Sequence, residues 1–276
     1  MAAFVPISDS HAIYEVAVGL ILGDNLSPSV LKNILELHDE LKDELPKKST
    51  RELVQKIVLS PDESIGAKSE QKNELHGFSF SRVKPDGGNS WVLRIDRNEV
   101  FVNCLDYTGW NTVWPKAYSY LEKVAPLIGD MPVMGIRCQF LDQFAYDGEQ
   151  GESSPRELIR EDSKYITEQA LQSAPYWHVH QGWFDETPLK EIDNHTLHQI
   201  NIDSLPSDGK DITNISHVMT LQFKTADTLY SSLFITNEDD PCAIDTAMDY
   251  LHSYNKRFLN NLLQPEICER IALNAE

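Results

Sequence analysis

Apolar residues along the chain follow two spacings, which together predict an α+β protein. Helical spacing follows Ser27-Pro28, Asn111 and Asp240-Pro241, where residues typical of helix starts precede an apolar face. Short apolar or alternating runs predict strands. The predicted strands are, approximately, Ile13 to Leu22, Glu52 to Leu59, Gly77 to Val83, Trp91 to Ile95, Val100 to Leu105, Val133 to Phe144, Tyr176 to Phe184, Thr196 to Ile202, His217 to Lys224 and Leu229 to Ile235. This pattern favours predominantly antiparallel sheets with helices on one face.

The predicted elements occur twice in the same order, which is strand, helix, four strands and helix. The two closing helices share the short patterns Ala117-x-x-Tyr120-Leu121 and Ala247-x-x-Tyr250-Leu251, and Ser154-Pro155 starts the first helix of the second half. We therefore predict an N-terminal α+β unit at 1–130 and a C-terminal α+β unit at 131–276. Each is expected to be a duplicated helix-grip-like unit, and the two either stand apart or pack as one continuous domain. A single unduplicated α+β domain is the alternative.

The composition is that of a soluble globular protein with a strong acidic excess. The 276 residues are 41% hydrophobic and 24% charged, and the formal net charge is −19. This charge repels polyanions and the chain has no basic patch, so nucleic-acid binding is not expected. An acidic surface instead suits a protein partner that carries a basic surface.

The start of the chain and the cysteines predict a cytoplasmic protein. Met1 to Pro6 has no basic leader, and Val16 to Leu22 is too short to span a membrane. The cysteines are far apart and form no CxxC pair, so no structural disulfide is expected. They are Cys104, Cys138, Cys242 and Cys268.

A group of histidines is the candidate metal site. His178 and His180 are two positions apart on a predicted strand and therefore project to the same face. His217 lies on a later strand that could bring its imidazole nearby, and Asp185 or Asp203 could supply a carboxylate for zinc or iron. The alternative interpretation is that this strand face is simply polar and solvated.

Three other features have both a functional and a structural interpretation. Pro61-Asp62 and Glu70-Gln71-Lys72 resemble the PD…ExK pattern of metal-dependent nucleases, but a polar loop from Ser60 to Glu74 is the favoured interpretation. Arg137 interrupts an apolar strand, where a structural ion pair is favoured over an anion site. The aromatic residues near Trp110 are predicted to fill the core. They include Tyr107 and Trp114.

Two features in the second half of the chain carry a resemblance to a known family. A strand contains Gly135-Ile136-Arg137, and a late helix with Leu251-His252 leads to Phe258 and a short terminal helix at Pro265-Glu266. In this order of features, which covers most of its length, the chain resembles a family of sporadically distributed, uncharacterised bacterial proteins. No activity is established for that family.

The resemblance has a limit and an implication. Cys138 and Phe140 stand where the family has tyrosine and asparagine, which weakens the idea of a shared polar site on that strand. The resemblance implies a bacterial origin and an α+β fold. Sporadic distribution is typical of mobile gene neighbourhoods, such as those of phage defence or toxin–antitoxin pairs.

These observations lead to three hypotheses of function. The first is a non-catalytic bacterial protein that binds a protein partner, in a phage-defence or toxin-neutralising module, with homo-oligomer formation as a further form of association. The second is a small-ligand sensor with a cavity between the sheet and its long helix. The third is a metal-dependent protein that uses His178, His180 and His217. Because the sequence contains no strong catalytic motif, no cofactor is predicted.

Overall fold

The computed structural model of the protein describes residues 3–8, 10–58, 69–187, 194–236 and 241–273, without the side chains of 53–58, 69–73 and 194. It confirms the α+β class. The strands are β1 Phe4–Pro6, β2 Ile13–Leu22, β3 Lys47–Val58, β4 Ser69–Val83, β5 Asn89–Asp96, β6 Glu99–Cys104, β7 Val133–Tyr146, β8 Trp177–Glu186, β9 Asn194–Ser207 and β10 Lys210–Phe223.

The α-helices differ widely in length. They are α1 Pro28–Glu36, α2 His38–Leu41, α3 Trp110–Ile128, α4 Pro155–Leu158, α5 Glu168–Leu171, α6 Ala243–Leu262 and α7 Pro265–Arg270. Ser27 caps α1 as predicted, because its side chain accepts a hydrogen bond from the Val30 amide at 3.3 Å. Within the described ranges, none of these helices is both long and apolar enough to cross a membrane.

One large antiparallel sheet runs through both halves of the chain. Its strand order is β3-β4-β5-β6-β2-β7-β10-β9-β8, and β1 pairs with the end of β7. The β2–β7 pair lies at the centre and joins the two halves by continuous backbone pairing. The predicted division at residues 130 and 131 therefore falls between two strands of a single sheet, and the two-unit interpretation stays a prediction.

The described helices pack against one face of this sheet and leave the other face outward. On β7, Ile136, Cys138 and Phe140 are buried against the helices, whereas the alternate residues Arg137 and Gln139 project to the opposite face. A first core lies mainly under the N-terminal strands with α1, α3 and the start of α6. A second core lies under β8 to β10 with α4, α5, α7 and the end of α6. The two cores meet near the middle of the long helix α6.

One strand of the second half and one loop of the first half need correction. The strand predicted at Leu229 to Ile235 is wrong, because that segment contains a 3-10 turn at Ser231–Phe234. The helix predicted from Ser154-Pro155 to Leu171, either continuous or broken near Ser163, is broken into the two short helices α4 and α5. The polar loop predicted up to Glu74 is also too long, because β4 begins at Ser69 and contains the backbone of Glu70-Gln71-Lys72. Pro61-Asp62 lies outside the described residues.

The start of α6 also differs from the prediction. Helix α6 begins at Ala243 with Cys242 as its N-cap, so Pro241 precedes the cap instead of occupying the first helical position. Asp240 lies outside the described residues. The Cys242 thiol lies 3.0 Å from a carboxylate oxygen of Asp245 in the first turn. A weak thiol–carboxylate contact therefore stands where an aspartate cap was expected.

A left-handed alanine after α7 provides a first testable prediction. Ala272 has φ 50°, and the Leu273 amide donates to the carbonyl of Cys268 at 3.0 Å, which is the hydrogen bond of a Schellman cap. Because a Cβ disfavours this conformation, Ala272→Gly should raise the free energy of unfolding by about 1 kcal/mol in urea denaturation. The control Ala125→Gly, inside the right-handed helix α3, should lower it. A loss of stability in Ala272→Gly would contradict the described cap.

Candidate functional site

A cleft of about 390 Å³ lies where the two cores meet. Its floor is formed by the inward face of β7, and its walls are the start of α3, the middle of α6 and the turn that follows α7. Exposed residues surround the opening, among them Ser10, Thr108 and Asn111. A cleft of this size between two packed units has the volume and the location of many small-molecule sites.

A buried carboxylate lies at the floor of the cleft. Asp142 occupies an inward position of β7, in line with Phe140 and Phe144, because side chains alternate along a strand. The residue is only 1% exposed, and its Oδ2 has no hydrogen-bond partner among the described residues. Burial raises the pKa of Asp142 to about 7, and no neighbouring charge lowers it. A carboxylate in this position is costly to the fold unless a ligand satisfies it.

Aromatic rings form the wall beside this carboxylate. The indole of Trp110 stacks on the imidazole of His252, with ring centroids 4.5 Å apart and planes 8° apart, and lies 5.9 Å from the ring of Phe140. The indole N–H of Trp110 is buried and has no partner among the described residues. Burial lowers the pKa of His252 to about 4, and the charge of Lys256 lowers it further. His252 is therefore a neutral ring at physiological pH.

His11 and Tyr107 also line the cleft. Their rings meet edge to face with centroids 5.1 Å apart, and the Nδ1 of His11 is buried without a partner in the described part of the chain. Burial raises the pKa of Tyr107 to about 12, and the charge of Asp142 adds to this effect. The phenol therefore stays protonated and can donate a hydrogen bond at neutral pH.

A chain of buried polar side chains connects the cleft to β8. Asn255 lines the cleft, and its Oδ1 lies 2.9 Å from His217 Nδ1. His217 Nε2 lies 3.2 Å from His198 Nδ1, and His198 Nε2 lies 3.6 Å from an Asp185 carboxylate oxygen. The hydroxyl of Tyr254 also donates to Asp185. Because these contacts link α6 to β8, β9 and β10, they fix the helix that forms one wall of the cleft.

The proton positions in this chain follow from its acceptors. If Asn255 Oδ1 accepts, His217 carries its proton on Nδ1 and accepts at Nε2 from His198. The Nε2 of His198 is then bare, and it has no partner among the described residues. Burial lowers the pKa of His198 to about 4 although Asp185 opposes this shift, and burial lowers that of His217 to about 3. Both imidazoles are therefore uncharged at neutral pH.

The three candidate metal ligands do not come together. His178 and His180 are exposed on the outward face of β8, where His178 Nδ1 lies 2.6 Å from Asp203 Oδ1. His217 is completely buried on the inward face of β10. A single ion cannot bridge opposite faces of a sheet. Within the described residues, no group of three or more histidine, cysteine, aspartate or glutamate side chains is arranged to hold a metal.

Arg137 does not form the predicted ion pair. It projects outward from β7, where its Nε donates to Thr220 Oγ1 at 3.0 Å and its guanidinium lies 5.8 Å from the centre of the Phe101 ring. In the part of the chain that the structure describes, no carboxylate lies within ion-pair distance of it. The arginine fits because an outward sheet position leaves it half-buried and in reach of water.

The cleft contains residues that the sequence interpretation treated as core or did not single out. Trp110 and Tyr107, which were expected to fill the core, pack against the first core and also line the cleft, whereas Trp114 is 7% exposed and lies within the first core. Asp142 was missed, although an aspartate in phase with inward apolar residues of a strand is itself an informative pattern. His252 was quoted only as part of a helix motif.

Comparison of the chain with known protein families, with curated proteins and with solved structures finds no match. The resemblance to a bacterial family therefore stays a prediction, and the function has to be argued from the geometry of the cleft.

Proposed function

We propose that the protein binds a small organic molecule in the cleft at Asp142 and acts as a ligand-binding or sensor protein. The observation that carries this proposal is the buried carboxyl of Asp142, a residue that lines a cavity of about 390 Å³ and whose Oδ2 has no partner among the described residues. Natural proteins pair buried polar atoms, and exceptions concentrate at functional sites. Trp110 Nε1 and His11 Nδ1, on two other lining residues, also lack a partner in the described part of the chain.

A screen of small fragments tests this proposal. With ¹⁵N-labelled tryptophan, the indole signal of Trp110 should shift when a fragment enters the cleft, whereas that of Trp183 should stay unchanged because its N–H bonds to Asp185 away from the opening. The Trp110 signal is assigned with Trp110→Phe. Binders should lose about tenfold or more in affinity in Asp142→Asn. A diverse library that leaves the Trp110 signal unmoved would contradict the proposal.

Binding of a protein partner is the second candidate function. It is supported by the outward face of the sheet, where Arg137 has no carboxylate partner among the described residues and Phe184 and Leu205 are 63% and 54% exposed. Arginine and aromatic residues are common at the centres of interfaces. Arg137→Glu should then weaken association with proteins encoded by neighbouring genes, whereas Arg257→Glu on the helical side should not. Equal behaviour of the two variants would count against this surface.

We also propose that the fold arose by duplication of a helix-grip-like unit. The central strands β2 and β7 occupy equivalent places, each followed by short helices, a run of paired strands and a long helix. The C-terminal half has one strand fewer, because the segment after β10 forms a 3-10 turn. The equivalent pairs β2–β6 and β7–β10 support this proposal.

A further inference from the structure

The negative end of the cleft lacks a positive partner. Asp142 is 1% exposed, and no arginine, lysine or histidine of the described residues lies within ion-pair distance of its carboxyl. A buried carboxylate gains most from a group that brings both positive charge and N–H donors. An ammonium group supplies both, and it fits a protein whose net charge of −19 attracts cations.

The positive groups of the cleft lie at the start of α3 and on α6. Helix α3 has 19 residues and Gly109 as its N-cap, and its positive end lies at the cleft. The Thr112 and Val113 amides already donate to the Gly109 carbonyl, and the Trp110 amide donates to the Tyr107 hydroxyl. The unpartnered indole N–H of Trp110 lies in the same turn, and Lys256 lines the cleft without a carboxylate within 4 Å among the described residues. These donors suit a carboxylate.

Lys256 and Asp142 line the same cavity, and no ion pair joins them among the described residues. The aromatic side chains of Phe140, Trp110 and Tyr107 line the same cavity, so it also offers flat apolar surface.

We infer that the cleft takes a small zwitterion whose ammonium and carboxylate groups lie at opposite ends of a flat apolar body. The ammonium pairs with Asp142, and the carboxylate is held by Lys256 and the indole N–H of Trp110. The body lies against the ring of Trp110. This inference rests on the proposed ligand-binding function and adds the class of the ligand.

Three probes of nearly equal shape test the inference. 4-(Aminomethyl)benzoate carries both charges, 4-methylbenzylamine carries only the ammonium, and 4-methylbenzoate carries only the carboxylate. By isothermal titration calorimetry at about pH 8, where Asp142 is ionised, the zwitterion should bind about tenfold or more tightly than either relative. Lys256→Met should weaken the two carboxylates several-fold and leave 4-methylbenzylamine unchanged. Asp142→Asn should weaken the two amines and spare 4-methylbenzoate.

The control is Lys123→Met, which removes an exposed lysine of α3 that does not line the cleft and should leave all three affinities unchanged. The inference is overturned if 4-methylbenzylamine binds as tightly as the zwitterion, or if none of the probes binds at millimolar concentration. The fragment screen separates the two failures. Asp142-dependent binders of another charge type would leave the ligand-binding function standing and refute only the zwitterion, whereas an unmoved Trp110 signal would refute both.

Discussion

Replacement of Asp142 by asparagine is expected to stabilise the protein increasingly as the pH rises. Burial raises the pKa of Asp142 from 3.8 to about 7, so between these values the folded protein holds a proton that the unfolded chain has lost. Stability therefore falls with rising pH in this window, by about 1.4 kcal/mol per pH unit. Because asparagine does not titrate, the free energy of unfolding of Asp142→Asn relative to wild type should grow by about 3 kcal/mol from about pH 5 to pH 8.

Urea denaturation of both proteins at several pH values measures this difference, in which the titration of all other groups cancels. Asp249→Asn, the same substitution at an exposed position of α6, is the matched control. A difference for Asp142→Asn that is flat with pH would mean that the carboxyl is hydrated or paired. We propose that the wild-type protein retains the destabilising carboxyl of Asp142 because this group binds the ligand.

Acid should unfold the protein early. Burial lowers the pKa values of His198, His217 and His252 to about 4, 3 and 4, whereas the unfolded chain protonates its histidines near 6.5. Below that pH each of these three histidines binds a proton in the unfolded chain but not in the folded protein. Asp142 offsets one of these protons, because the folded protein holds a proton there that the unfolded chain has lost. Stability should therefore fall by about 2 kcal/mol for each pH unit between about 6 and 5.

The variant His217→Gln tests the origin of this slope. Glutamine keeps hydrogen-bonding groups near Asn255 but cannot take up the proton, so the loss per pH unit should become smaller by about 1.4 kcal/mol. His180→Gln is the control, because this exposed residue lies on the outward face of β8. An unchanged slope in His217→Gln would show that the buried imidazole pair is not the acid-sensitive element.

The strands and helices were largely predictable because their spacing depends on local sequence. The bounds of β2 were predicted to the residue, and the cap of α1 at Ser27 was confirmed. The segment Leu229 to Ile235 failed for a physical reason. Its apolar residues Tyr230 and Leu233 are buried, but they lie in and next to a 3-10 turn. Over so short a run, such a turn gives the same hydrophobic pattern as a strand.

The site was far less predictable, since it is assembled by packing from segments distant in sequence. His11, Trp110, Asp142 and Lys256 meet only because β2 and β7 pair centrally and α6 crosses beneath them. Sequence analysis singled out Arg137 on β7, but the buried residues on either side of it show that its side chain projects to the outward face. Asp142 projects to the same face of β7 as the buried apolar residues. Only a comparison of each polar position with the alternation of these apolar residues would have distinguished Asp142 from Arg137.

The register of the strands also explains why the three candidate histidines do not lie together. His178 and His180 were assigned correctly to one face, but the register of β9 and β10 decides the face of His217, and that register cannot be derived from spacing within β8. Pairing of Met219 with His198 puts the buried imidazoles inward, away from the exposed pair.

We propose that Asp142, whose buried Oδ2 has no hydrogen-bond partner among the described residues, is reserved for a ligand. Titration of its side-chain carbon by ¹³C NMR in the free protein tests this claim most directly, with the signal assigned by Asp142→Asn. The account predicts a midpoint near 7 in the free protein and a fall below about 5 when 4-(aminomethyl)benzoate is bound. An ordinary midpoint near 4 in the free protein would contradict the account, because the carboxyl would then already have water or a protein group as its partner.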